Sequence, residues 1–234
     1  MNVSLIDSMG SDLTVVNAAR VSFYKESDWD YENYEDEYGP WMDYHLSEKD
    51  QKLINYLSKH NHWTPFSHVM ITMREKVPIF VARQRFKHMV GFTYNEVSRR
   101  YVDDPPEFYT PDVWRKKAEN KKQGSGEALS PEKNEAVKKY YESYIKIAEQ
   151  LYKSMIDDEQ FAEGIAPEMA RMILPQSMYT EYYVTGSLAA WARAYKQRIK
   201  SDAQKEIQDL AKEWGNIITD MDALKYSWKA LTDE

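Results

Sequence analysis

Arg83-Gln84-Arg85-Phe86-Lys87-His88-Met89-Val90-Gly91-Phe92-Thr93-Tyr94-Asn95-Glu96-Val97-Ser98-Arg99-Arg100-Tyr101 concentrates cationic side chains in a chain whose net charge is -7. The residues leading into it, Pro78 through Phe86, predict a helix: Ile79, Phe80, Ala82 and Phe86 recur at helical spacing, with Pro78 in the first turn. A turn around Gly91 follows. A local reversal of charge around a turn reads as a site for an anionic ligand. Ser98, Arg99 and Arg100 offer donors for a phosphate, and Lys87 and His88 face it from the helix end. The plainer alternative is a solvated basic helix face.

Upstream, Val69 to Glu75 alternates as a strand, preceded by His62-Trp63-Thr64-Pro65-Phe66-Ser67-His68. Ser47-Glu48-Lys49-Asp50 caps a helix carrying Leu53, Ile54 and Leu57. The stretch 25–44, rich in Asp, Glu, Tyr and Trp with Gly39-Pro40 inside, has no clean period and predicts an exposed surface loop. Val3 to Met9 reads as a strand, and Asp12 to Ser22, with Asp12 as N-cap, as a helix or turn carrying Asn17-Ala18-Ala19-Arg20. Downstream, 115–130 turns polar, with Lys116-Lys117, Lys121-Lys122 and Gly124-Ser125-Gly126, and predicts a second surface loop. Ser130 and Pro131 open a long helix through Val137, Tyr140, Tyr141, Tyr144, Ile145, Ala148 and Leu151. Met169 to Leu174 is helical, Tyr179 to Thr185 is β-rich, and Ser187 to Lys212 predicts one long helix.

At 234 residues, with 42% hydrophobic and 14% aromatic content, the chain can bury a full core, and we expect one domain over 1–234. Net acidity disfavours a general nucleic-acid binder, whose footprint is a broad basic surface. No stretch approaches a membrane span, and Met1 to Asp7 lacks the pattern of a signal peptide, so a soluble, cytoplasmic protein is expected. The absence of Cys removes disulfides, thiolate metal sites and every thiolate nucleophile.

Trp191, Tyr195, Arg198 and Asp202 fall at steps of four, three and four, placing a cation and an acid on one helical face with two aromatics. Arg198 either packs along that stripe and pairs with Asp202 or is held against a bound ring. Arg171 stands at a helix end before Ile173-Leu174-Pro175. His60, His62 and His68 match no metal-ligand spacing, so no metal is expected, and His62 reads as a positioned hydrogen-bonding group.

Four separated blocks carry a resemblance: Asn17-Ala18-Ala19-Arg20-Val21-Ser22; His62-x-Thr64-Pro65-Phe66-x-His68; Arg83-Gln84 through Asn95-Glu96-x-Ser98-x-Arg100-Tyr101; and Arg171-x-x-Leu174-Pro175 through Arg198 to Ala203-Gln204-x-Glu206-Ile207. In order and spread the chain resembles the flavin-dependent thymidylate synthases, which convert dUMP to dTMP with FAD, NADPH and methylenetetrahydrofolate. The resemblance implies an α+β fold, a mixed sheet with long helices, in a homotetramer whose active sites are shared between subunits. It places Gln84, Lys87, Glu96, Ser98, Arg99, Arg100, Arg171 and Arg198 at dUMP, and Arg198 and His62 as the catalytic pair, Arg198 on the uracil and His62 near flavin and folate. Thr64, Lys87, His88, Met89, Glu96, Ser187 and Arg193 fall where the family touches FAD, with Ser67 and Asp202 as further positions.

The family's central motif is Arg-His-Arg, seven residues, then Ser. This chain has Lys87-His88-Met89, eight residues, then Ser98, so two planar donors are replaced and Arg85 or Arg193 are the candidates to supply the missing charge. No Gly-x-Gly-x-x-Gly occurs, so FAD would bind by an architecture other than the Rossmann fold. A route without a thiolate suits a chain without Cys, and Ser98 reads as a binding hydroxyl because no base stands beside it. The competing function is a dUMP-binding regulatory module that has lost flavin activity.

Overall fold

The computed structural model describes residues 1–101, 104–118, 124–157 and 163–233. Its centre is a four-stranded sheet in the order β1, β4, β6, β5, built from Asn2–Met9 (β1), Met70–Pro78 (β4), Tyr179–Ser187 (β6) and Phe92–Glu96 (β5). Asp30–Asp36 (β2) and Gly39–His45 (β3) form a separate hairpin. The class is α+β, as expected, but every pairing in the sheet is antiparallel rather than mixed.

The two central strands share one register, and their alternation makes a two-sided wall. Ile71, Met73, Glu75 and Val77 face inward opposite Gly186, Val184, Tyr182 and Thr180. Thr72, Arg74 and Lys76 point outward beside Thr185 and Glu181, with Thr72 and Thr185 hydroxyls 2.9 Å apart. Gly186 is required by close approach: a Cβ there would lie 2.3 Å from Phe92 Cδ1.

Helices Leu188–Arg198 (α6) and Lys205–Thr219 (α7) cover the inner face, and Trp191 meets Trp214 with ring centroids 5.6 Å apart. Helices Asp12–Arg20 (α1) and Glu48–Lys59 (α2) add Val15, Val16, Ile54 and Leu57 to the same core. The expected single helix from Ser187 is therefore two. It breaks across 199–204 without Gly or Pro, so the sequence carries no breaker; the break lets Ile207, Leu210 and Trp214 turn onto the sheet.

Three local expectations change. The cap of α1 is Ser11, and Asp12 instead accepts hydrogen bonds at 2.9 and 2.8 Å from the amides of Tyr226 and Ser227 in the first turn of Lys225–Thr232 (α8). Burial, set against those bonds, pushes the Asp12 carboxyl up. The stretch 25–44 is not a loop but mainly the β2–β3 hairpin, in which Tyr34 stacks on Trp41 at 4.7 Å across the register. Both of its faces are largely exposed, so no apolar alternation marked it. Ser130 precedes Pro131–Ile156 (α4) without capping it through its side chain.

Of the stretch 115–130, the residues at 119–123 lie outside the described residues; among the rest Arg115 and Ala128 form an isolated bridge. On α4 the residues Val137, Tyr140, Tyr144, Ile147 and Leu151 form a stripe at steps of three and four that remains exposed. Among the described residues no helix is long and apolar enough to cross a membrane.

Candidate active site

Beyond Glu96 the chain leaves β5 by a Val97 amide bond to the Glu181 carbonyl, 2.9 Å, then turns with Tyr101 N on Ser98 O, 3.0 Å. That turn delivers Ser98 and Arg99 to a cleft of about 680 Å³, whose walls include Glu96, Arg171, Lys76 and Thr180. The volume suits a small-molecule ligand. Glu96 is held by the Thr180 hydroxyl at 2.6 Å. Arg99 donates to the carbonyls of Asp104 and Pro105, and Arg171 Nε donates to the Glu168 carbonyl at 3.2 Å. Arg100 does not line the cleft: it pairs with Glu168 at 3.3 Å and lies over the Tyr101 ring.

The other half of the expected nucleotide set is elsewhere. Helix Ile79–Arg85 (α3) ends in a turn that carries Lys87 into solvent and folds His88 inward. Arg198, in the last turn of α6, donates from Nε to His88 Nε2 at 2.8 Å and from Nη2 to the Gln84 carbonyl at 3.2 Å. Gln84 in turn donates to Gln204 Oε1 at 2.6 Å. Burial and then the charges of Arg198, Arg85 and Arg193 push the His88 imidazole down to about 4, so it is neutral near pH 7 and its Nε2 is free to accept. Burial and Arg85 also lower the Arg198 guanidinium from its usual range.

Of the residues that the resemblance places at FAD, Ser187 and Arg193 bond to the turn at Gly91 and Val90, whereas His88 meets the last turn of α6 at Arg198. Ser187 Oγ accepts from Ala190 N at 3.3 Å, closing that helix, and Ser187 N donates to the Gly91 carbonyl at 3.1 Å. Gly91 has φ +80°, and a Cβ there would meet the Ala190 Cβ at 2.8 Å, so the turn docks onto α6 only with glycine. Arg193 donates to the Val90 carbonyl beside it. Met89 is exposed and offers no side-chain donor. Lys87 and Arg193 are exposed cations, donors of the kind the diphosphate of FAD requires, whereas the amides of Leu188 and Ala190 at the start of α6 are already bonded to the Val69 carbonyl and Ser187 Oγ.

Thr64 opens the short 3-10 turn Pro65–His68, which leads into β4; Val69 then accepts from Leu188 N at 2.9 Å. His62 is exposed and packs edge-on against Tyr56 at 5.9 Å, with His60 at 6.4 Å. Glu96, grouped with flavin as well as nucleotide, sits only in the cleft. Four steps of β5, roughly 13 Å at an ordinary strand rise, separate it from Phe92 beside Gly91.

Two expectations are overturned. Asp202 lies outside α6 and does not pair with Arg198, because the helix ends at Arg198. Arg85 cannot supply the missing charge to a ligand: its side chain is 0% exposed and is paired with Glu75 at 3.3 Å. Arg193 remains accessible. Among the described residues no group of His, Asp or Glu could hold a metal ion. Thr180 and Lys76 were missed; their signal was the inward and outward alternation of two paired strands, which is invisible until the register is known.

The family model described as "Thymidylate synthase complementing protein" matches residues 4–222. A "Flavin-dependent thymidylate synthase" of Thermosipho africanus is 37% identical over 213 residues, 91% of this chain and 83% of the relative. One from Thermus thermophilus is 35% identical over 231 residues, 99% of this chain and 75% of the relative. The crystal structure of a UMP/dUMP methylase, PolB from Streptomyces cacaoi, bound with 5-Br UMP, superposes with a TM-score of 0.78 at 26% identity, covering 99% of this chain and 93% of that one.

Proposed function

Since the chain belongs to the flavin-dependent thymidylate synthase family, we propose that it methylates dUMP to dTMP, with methylenetetrahydrofolate as carbon donor and NADPH, by way of FAD, as reductant. The observation that carries this reading is Arg198, a partly buried cation held by a neutral His88 and the Gln84 carbonyl. A fixed guanidinium in a poorly hydrated corner stabilises negative charge on a uracil far better than one in water. Raising electron density at C5 otherwise calls for a thiolate at C6, and the chain has no Cys. FAD, when bound, supplies hydride chemistry; Lys87 and Arg193 would hold its diphosphate, with Thr64, His88 and Ser187 around it.

Ser98, Arg99 and Arg171 would bind the nucleotide phosphate, Glu96 its sugar edge, and Arg100 would turn from Glu168 to join them. His62 would stand over the flavin and folate. Gln84, Lys87 and Arg198 do not line the cleft that holds Glu96, Ser98, Arg99 and Arg171. A homotetramer with active sites shared between subunits accounts for that split, and the exposed apolar stripe of α4 is a surface suited to such contacts.

The test is direct. The purified protein should be yellow, should oxidise NADPH faster when dUMP is added, and should form dTMP when the folate is supplied. Colourless protein that cannot be reconstituted with FAD would sink the reading. UMP offered in place of dUMP distinguishes a thymidylate synthase from a methylase of ribonucleotides.

A further inference from the structure

Beneath the His88–Arg198 corner lies a buried charge pair that the proposed chemistry does not use. Arg85 Nε donates to Glu75 Oε1 at 3.3 Å, and the Tyr182 hydroxyl donates to Glu75 Oε2 at 2.6 Å. The Arg85 guanidinium carbon is 4.3 Å from the Phe92 ring centroid, 4.6 Å from Trp214, 4.8 Å from Trp191 and 5.2 Å from Tyr94. Its Nη2 has no hydrogen-bond partner among the described residues. Burying such a pair is costly, and an apolar pair in the same space is often as stable, so stability alone does not account for it.

What the pair does touch is the turn. Arg85 Nη1 donates to the Tyr94 hydroxyl at 2.6 Å, and that hydroxyl donates to the His88 carbonyl at 2.7 Å. The same His88 accepts from Arg198. We propose that Arg85 is a positioning residue for Arg198: paired with Glu75 and acting through Tyr94 and His88, it sets the orientation in which the guanidinium of Arg198 is presented. The chain of contacts runs from the sheet to the last turn of α6 without a gap. Burial first, and then the positive charge of Arg198, Arg85 and Arg193 around the imidazole, keep it the neutral acceptor that Arg198 needs.

The activity arm of the test rests on the role given to Arg198 above; the spectroscopic arm does not. Glu75→Gln with Arg85→Met removes both charges together, leaving an apolar stem among the rings and an acceptor for Tyr182. Tyr94→Phe removes a single hydroxyl. In imidazole ¹⁵N spectra, with His88 assigned through His88→Gln, the wild type should show one neutral tautomer protonated at Nδ1 down to about pH 5. Both variants should lose that single tautomer and titrate at higher pH. Turnover should fall at least about tenfold while KM for dUMP moves little, the mark of an interaction used in the transition state. Arg85→Lys, which keeps the charge, should recover part of the loss. Folded variants with wild-type His88 spectra and wild-type turnover would overturn the proposal. Should the double variant not fold, Tyr94→Phe decides alone, and should the wild type make no dTMP, the His88 spectra still decide.

Discussion

At the Glu96 end of β5 the cations stay near the surface. Arg99 and Arg171 answer to main-chain carbonyls, and Arg100 to a surface carboxylate with both partners half exposed. At the Phe92 end two cations are drawn inward, Arg85 entirely and Arg198 in part, and each is fixed by named acceptors, while Lys87 and Arg193 stay exposed. Under the proposed function, the contrast separates two tasks. Side chains that close on a phosphate need freedom to move and lose little by waiting in water. A charge that must meet a developing anion gains from being aimed in advance, where the dielectric is low.

The hardest blow to the inward end is Arg198→Ala. It should lower turnover by about 10² to 10³ while FAD stays bound, read as dTMP formation beside the flavin spectrum; an active variant would remove the premise of the comparison. Gly186→Ala comes next. Its Cβ would fall 2.3 Å from the Phe92 ring that roofs Arg85, and overpacking of that kind costs about 1–3 kcal/mol in denaturant unfolding.

A smaller effect is the pH dependence of His88. Its folded value, about 4, lies below the ordinary 6.5, so the unfolded chain binds the proton more readily. The stability is complete above 6.5 and is lost as pH falls toward 4. Melting curves across that window should be flatter for His88→Gln than for the wild type. Smallest of all is Glu168→Ala at the outward end. It removes the exposed partner of Arg100 and should change stability by less than about 1 kcal/mol, less still in salt. A large loss there would erase the distinction between the two ends.

Much of this was legible in advance. The strands at Val3 to Met9 and Tyr179 to Thr185, and the helices opened by Ser47 and Pro131, follow from apolar spacing and turn chemistry, which act over a few residues. The motif from Gln84 to Ser98 and Arg99 drew attention to both ends of the candidate site, because its residue types are unusual for an acidic chain. The hairpin at 30–45 was not legible: with both faces exposed, no pattern of burial constrains its sequence. The break after Arg198 was hidden for a related reason, since Ile199 to Gln204 contains nothing that forbids a helix.

By itself the sequence determined the family resemblance, the absence of a thiol, and the list of charged groups gathered around Gly91. It could not say which of those charges faces a ligand. Arg85 and Arg193 read alike in the chain, yet one lies among four rings against Glu75 and the other is exposed beside Val90. The register that sets Glu75 opposite Tyr182, and the packing of α6 on the turn after α3, decide it. The free energy of a charge depends on what surrounds it in space, and neighbours in space are fixed only when the strands have paired.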